Sequence, residues 1–322
     1  MITPAALARR LASLEVVVDE VSHRARHVAA AGYPGGPRPS LELRLAGWGV
    51  VGAGEHVGWS LDGADEVARL VAGALAGRRG SVGALTARCA HADPYTRAAV
   101  EGALIDLALA QARLSWVDVV ERPEGALRHL ISFDACADPA ARLAAIRAHN
   151  PKARFKIDVD PAWTDAAIAR LAASEAVAVV DFKGRGDAAL VARVAGRMDG
   201  VLVEDPPAAL PIVAGRTGRD QGIVDERAVA EALAAGAAIN FKAPRMGGWF
   251  ALLAGLEPAL AAHARVYFGG MFEVGCGRRQ AQLLAALFAA DAEHDLAPIP
   301  PGDLDARPSS PLRLRFAAHR FG

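Results

Sequence analysis

At 322 residues, with 52% hydrophobic and 22% charged positions, the chain has the make-up of a well-buried globular protein of one or two domains. Its 36 basic and 36 acidic residues leave no overall field for nucleic acid or an anionic membrane, and no apolar run reaches spanning length, so the expected partner is a small molecule. Three cysteines, Cys89, Cys136 and Cys276, show neither disulfide-framework nor zinc-type spacing, and residues 1–10 carry no apolar core with a cleavage signal, so a reducing cytoplasm is the expected compartment.

Residues 1–125 are predicted to form an α+β capping domain. The segment 21–39, rich in glycine, proline and arginine, reads as a mobile loop. Alternation of apolar and polar positions from Ser40, ending in glycines, predicts an antiparallel strand and turn. Gly49, Gly52 and Gly54 belong to that turn, because they lack the spacing and following helix of a dinucleotide loop. A capped helix follows Asp93.

From Ile131 the pattern becomes short apolar runs alternating with alanine-rich helices, the mark of βα units and a parallel sheet. Strands are predicted near 131–135, 153–158, 177–182, 201–204, 222–225, 238–242 and 265–268, with helices including 139–149, 165–173, 187–197, 228–235 and 279–289. This predicts an α/β fold, a (β/α)7β-type (TIM-like) barrel over residues 126–322 whose C-terminal tail returns toward the cap.

Barrel chemistry sits at the C-terminal ends of strands. The charged residues there are Lys156, Asp158, Asp181, Lys183, Glu204, Asp225, Glu226, Lys242 and Glu273. Asp181, Glu204 and Asp225 on successive strands offer an all-oxygen site for a hard divalent cation, Mg2+ first, with Mn2+ able to substitute. Lysines flank them. Removal of a proton next to a carboxylate needs both elements, a cation to hold the enolate and a base desolvated enough to be neutral part of the time. Glycines around Gly270 and Met271 let backbone N–H groups approach an anionic substrate, and Glu273 is placed to orient it or to pair with Lys242.

At these residues the chain resembles the enolase superfamily, in its muconate-lactonizing subgroup, and the o-succinylbenzoate synthase and N-acylamino acid racemase branch within it. Asn240-Phe-Lys-Ala-Pro-Arg-Met-Gly-Gly248 is similar to that branch's Asn-Ile-Lys run before a Gly-Gly pair. Gly269-Gly-Met-Phe-Glu-Val-Gly-Cys-Gly-Arg278 resembles its Gly-Gly-Met-Leu-Glu-Thr-Gly-Ile-Gly-Arg segment. Val203-Glu-Asp-Pro206 and Val224-Asp-Glu-Arg227 resemble further strand ends, and the helix from Tyr95 resembles the last helix of the family's cap, whose loop corresponding to 21–39 is implied to close over the substrate with Arg24 or Arg26 near a carboxylate.

The resemblance implies that Glu204 and Asp225 hold metal, that Lys242 is the sixth-strand lysine, and that Arg154 and Lys156 stand at the family's Lys-x-Lys. Arginine keeps charge but cannot relay a proton, so Lys156 is the expected base and Arg154 a substrate contact. The family's Asp-x-Asn becomes Asp181-Phe-Lys183, which makes Lys183 a substrate contact or a replacement for the metal. Asp158, in Asp158-Val-Asp-Pro-Ala-Trp163, resembles the same motif and is the alternative ligand; counting strands back from Glu204 favours Asp181. On the fifth strand Gly215, 11 residues after Glu204, leaves too little room for a helix and a strand, whereas Asp225 at 21 leaves enough.

The activity this implies is Mg2+-dependent abstraction of a proton α to a carboxylate, as an o-succinylbenzoate synthase dehydrating a precursor for menaquinone. N-acylamino acid racemisation is the nearest rival, and a degenerate barrel serving as a binding protein is a third reading. Homo-oligomerisation is left open.

Overall fold

The computed structural model describes residues 2–29, 36–58, 60–299 and 309–318. The cap comprises α1 (Pro4–Ala12), β1 (Glu15–Val18), β2 (Glu20–Val28), β3 (Arg38–Gly47), β4 (Val50–His56), α2 (Ala64–Leu75), β5 (Arg78–Ser81), α3 (Val82–Ala87), α4 (Pro94–Ala112) and α5 (Trp116–Val120). Strands β2, β3 and β4 form an antiparallel meander, and β1 pairs with β5. The meander packs on α4 because Gly52 and Gly54 bring β4 against the α4 backbone, where a Cβ would collide with residues 99–107.

Segment 21–39 is therefore corrected from a loop. Arg24 and Arg26 lie on β2, paired with Glu42 and Ser40 of β3, and only residues 30–35 fall outside the described residues.

The second half runs β6 (Glu124–His129), β7 (Ile131–Phe133), α6 (Pro139–His149), β8 (Phe155–Asp158), α7 (Asp165–Ala173), β9 (Val177–Asp181), α8 (Ala188–Arg197), β10 (Leu202–Glu204), β11 (Thr217–Arg219), α9 (Glu226–Ala234), β12 (Ala238–Phe241), α10 (Ala243–Met246), α11 (Trp249–Ala261), β13 (Val266–Phe268), α12 (Cys276–Phe288), β14 (Glu293–His294) and β15 (Leu312–Arg315). Strands β7 to β13 form one parallel sheet in chain order, the TIM-like barrel expected from the sequence. Its seam is closed by residues 294–295: Leu130 N–H donates to His294 C=O (2.7 Å), Asp295 N–H to Phe268 C=O (2.9 Å), and Gly270 N–H to Asp295 C=O (3.1 Å). The tail strand β15 returns to pair antiparallel with β6, at the junction of cap and barrel.

Period-two alternation explains what faces where. Ile131, Phe155, Ile157, Val180, Val203, Ile239, Phe241 and Phe268 join the apolar layer under the helices. Lys156, Asp181, Glu204, Asn240 and Tyr267 take inward positions on the same strands and are buried. Leu130, Val179, Leu202, Ala238 and Tyr267 form a separate small apolar cluster across the strands.

One predicted strand is misplaced. The fifth strand is Thr217–Arg219 rather than 222–225, because the connection from β10, residues 205–216, contains no helix and so needs fewer residues than a full βα unit. Asp225 consequently falls in the next turn, where its side chain caps α9 by accepting Ala228 N–H at 2.8 Å, exposed to solvent.

Candidate active site

Asp181 ends β9, Glu204 ends β10, and Asp220 follows β11 by one residue. A carboxylate oxygen from each lies within 4.8 Å of the other two, and all three residues are buried. Asp220 thus takes the place expected of Asp225. It follows Glu204 by 16 residues, and the sequence hid it because Thr217-Gly-Arg219 contains no apolar run. Gly218 is needed there, since a Cβ would meet the Tyr267 hydroxyl at 2.9 Å.

Every oxygen of the triad accepts from a donor. Asp181 Oδ1 takes Lys183 N–H (2.9 Å), and Oδ2 takes Lys183 Nζ (2.7 Å) with Lys156 Nζ at 3.0 Å. Glu204 Oε1 takes Lys156 Nζ, and Oε2 takes the Tyr267 hydroxyl (2.7 Å). Asp220 Oδ2 takes Lys242 Nζ (2.8 Å), and Oδ1 takes Arg245. Arg245, three residues beyond Lys242 on α10, was not anticipated. Lys183 reaches its own strand's aspartate because its backbone is left-handed (φ 48°), an uncommon conformation for a residue with a Cβ.

Electrostatics follow from burial. Burial raises the Asp181 and Asp220 carboxyls, but Lys156 and Lys183 around the first, and Lys242, Lys156 and Arg245 around the second, outweigh it and hold both well below the usual range. Glu204 has no exposed surface, and burial pushes it up to about 8 despite Lys156. Lys156 itself is raised well above an ordinary lysine: burial opposes its charge, but Glu204, Asp181 and Asp295 overcome that. The expectation that desolvation leaves Lys156 neutral part of the time, as a base, is therefore corrected for this arrangement. Asp158, pushed by burial to about 6, stands outside the triad and pairs with Lys183 at 3.2 Å, so it is not brought in as a ligand.

Above the triad a cavity of about 270 Å3 is lined by Phe133, Asp134, Asp158, Lys183, Lys242 and Arg245 among others, with Gly270 and Met271 on its wall as expected. Ser132 and Asp295 also face it, Ser132 Oγ donating to Asp295 at 2.5 Å. No sequence signal marked Asp295, which follows a two-residue strand. Arg154 is absent from this cavity. It precedes β8 at the opposite mouth, bonded to Glu293 (2.7 and 3.1 Å) and to Glu175 C=O (2.7 Å). The two β8 positions that line the cavity are Lys156 and Asp158, two residues further along than the expected Arg154 and Lys156. Glu273 pairs with Arg278 (3.5 Å) and accepts Met271 N–H (3.0 Å), shaping the loop after β13 instead of pairing with Lys242.

The donor set fits a hard divalent cation, being three buried carboxylates with no sulfur or imidazole. Charge balance agrees. Even with Glu204 neutral, Asp134, Asp158, Asp181, Asp220 and Asp295 lie in or beneath the cavity against Lys156, Lys183, Lys242 and Arg245, so an anionic substrate calls for a further cation.

No curated protein matches the chain in sequence. Among solved structures, the mandelate racemase/muconate lactonizing protein of Herpetosiphon aurantiacus is similar over 87% of this chain and 89% of its own at TM-score 0.74 and 20% identity. A dipeptide epimerase from Enterococcus faecalis V583 is similar over 87% and 90% at TM-score 0.74 and 19% identity. The dipeptide epimerase of Methylococcus capsulatus, solved with Mg and the dipeptide L-Arg-D-Lys, is similar over 87% and 90% at TM-score 0.72 and 18% identity. At such identities the likeness establishes the fold, that of the muconate-lactonizing and dipeptide-epimerase members of the enolase superfamily with their barrel and cap. No helix among the described residues is long and apolar enough to cross a membrane. In sequence, residues 126–300 match the C-terminal domain of DUF8230, a domain of unknown function, and the chain belongs to that family.

Proposed function

We propose that the protein is a divalent-cation-dependent enzyme that removes the proton α to the carboxylate of a small acid and returns it, as a racemase or epimerase does. The observation that carries this is the convergence of Asp181, Glu204 and Asp220 from three consecutive strands beneath a cavity walled by Lys183 and Lys242. Bound by the triad, Mg2+, or Mn2+ in its place, supplies the positive charge against which an enolate's oxygens can form.

The chain's own residues do the rest. Arg245 holds Asp220 from the α10 side and, after Lys242 and Lys156, helps keep that carboxylate ionised. Lys183 rises from β9 and Lys242 from the end of β12, with β10 and β11 between them, so an α-carbon in the cavity lies between two lysine side chains. Inversion requires one of them to take the α-proton as a neutral amine while the other, as an ammonium, gives a proton to the opposite face; Asp181 and Asp158, at 2.7 and 3.2 Å, hold Lys183 in its charged form and make it the donor. Phe133, Met271 and Phe272 wall the cavity with apolar surface and limit water at the reacting carbon.

The epimerase outcome is supported by the likeness to two dipeptide epimerases. Dehydration by an o-succinylbenzoate synthase remains the second reading, favoured by the two motif segments, 240–248 and 269–278, that contribute Lys242, Gly270 and Met271 to the cavity. One experiment tests both: proton NMR in D2O with N-succinyl amino acids, dipeptides and the succinyl-hydroxycyclohexadiene carboxylate. Mg2+-dependent loss of an α-proton signal, abolished by EDTA, is expected. No exchange and no turnover by Mg2+-loaded protein refutes the proposal, and a rise in aromatic absorbance with the third substrate selects dehydration.

A further inference from the structure

Among the described residues, Lys156 is the one donor that bridges two members of the triad, with its ammonium on Glu204 Oε1 and 3.0 Å from Asp181 Oδ2. A cation entering among these carboxylates must displace it from at least one. The displaced ammonium cannot simply lose its partners, because its side chain is 4% exposed and an unpaired buried charge is strongly disfavoured. Among the described residues, one further carboxylate stands within ion-pair reach: Asp295 Oδ2, at 3.6 Å.

Asp295 is built to receive it. Ser132 Oγ occupies Oδ1, leaving Oδ2 toward Lys156, and the Asp295 backbone is held to the end of β13 through both its N–H and its C=O, by Phe268 and Gly270. Both Asp295 and Lys156 border the cavity.

The geometry points to a lysine with two seats: one on Asp181 and Glu204 when the triad holds no cation, the other on Asp295 when it does. Asp295 is then a positioning residue acting through Lys156. The ammonium keeps its proton in both seats, so only its place changes. This rests on the cation-binding part of the proposed function and adds to it that loading the triad delivers a positive charge to the cavity wall, where a substrate carboxylate would lie.

Calorimetric titration of Mg2+ into metal-stripped wild type, Asp295→Asn, Lys156→Gln and the double variant tests the assignment through a coupling. Asp295→Asn is expected to weaken Mg2+ binding roughly tenfold when Lys156 is present and less than twofold in the Lys156→Gln background. Equal weakening in both backgrounds overturns the assignment, because Asp295 would then attract the cation directly. So does the absence of weakening in either. Binding by Lys156→Gln with none by wild type also overturns it, as the lysine would have no second seat. These failures differ from those of the proposed function, which fails alone when wild type binds Mg2+ with the expected coupling yet exchanges no α-proton, and fails together with this assignment when none of the four proteins binds Mg2+. Circular dichroism confirms folding, and Lys156→Met replaces Lys156→Gln if the latter does not fold.

Discussion

Asp220→Ala removes a carboxylate that holds two cations at once, Lys242 at 2.8 Å and Arg245, whose side chains are 7% and 15% exposed. Truncating one partner of a buried ion pair leaves the others uncompensated and costs about 3–5 kcal/mol. Asp225→Ala, five residues on, removes only the helix cap on Ala228 N–H, worth about 1 kcal/mol. Urea unfolding at pH 7 in EDTA, paired with Mg2+ calorimetry, compares the two. Asp220→Ala should lose the larger stability and at least tenfold in Mg2+ affinity, on the order of 1.4 kcal/mol or more, while Asp225→Ala keeps wild-type Mg2+ binding. The pH dependence has a definite sign. The folded Asp220 carboxyl lies below its unfolded value, so its contribution is complete above the unfolded value of about 3.9 and is lost as pH falls. The gap between wild type and Asp220→Ala should stay level from pH 8 to 5 and narrow below about pH 4. The reasoning is refuted if Asp225→Ala abolishes Mg2+ binding, or if Asp220→Ala unfolds within about 0.5 kcal/mol of wild type.

Burial pushes Glu101, which accepts Phe250 N–H across the cap–barrel contact, up to about 7. A folded value above the unfolded one means stability falls as pH rises from about 4.5 through 7, by on the order of 3 kcal/mol; Glu101→Gln should flatten that fall in denaturation curves at pH 5 and 8. Glu55 of the cap accepts N–H groups of Val274, Gly275 and Gly277 at the start of α12, so Glu55→Ala should cost about 2–3 kcal/mol and speed amide exchange at those residues. In Gly269→Ala the new Cβ would meet Lys242 Cε at 2.5 Å and Asn240 Oδ1 at 2.7 Å; a loss of about 1–3 kcal/mol and of α-proton exchange is expected. Arg154→Ala should leave Mg2+ affinity unchanged and cost under about 1 kcal/mol, since its pair with Glu293 is partly exposed; loss of Mg2+ binding would return Arg154 to the site.

Amino-acid order was enough to place the barrel and six of its seven strands, because Ile131, Phe155, Val177, Val203, Ile239 and Phe268 sit in apolar runs that only a buried sheet accommodates. It also marked Asp181, Glu204 and Lys242, each a charge ending such a run. β11 carried no such mark. Its centre is Gly218 against Tyr267, and the helix that spacing normally requires before it is missing, so the count slid past Asp220 to Asp225. Arg154 and Lys156 share a face by period two, yet about 3.3 Å of rise per residue puts one at the opposite mouth and the other against the cavity, a difference that register against β9 settles. Asp295 reached the site through the seam that closes the sheet, and Arg245 through a single turn of helix. Local periodicity fixes which face a side chain takes; the depth at which charges meet depends on strand stagger and closure, and these are properties of the whole barrel.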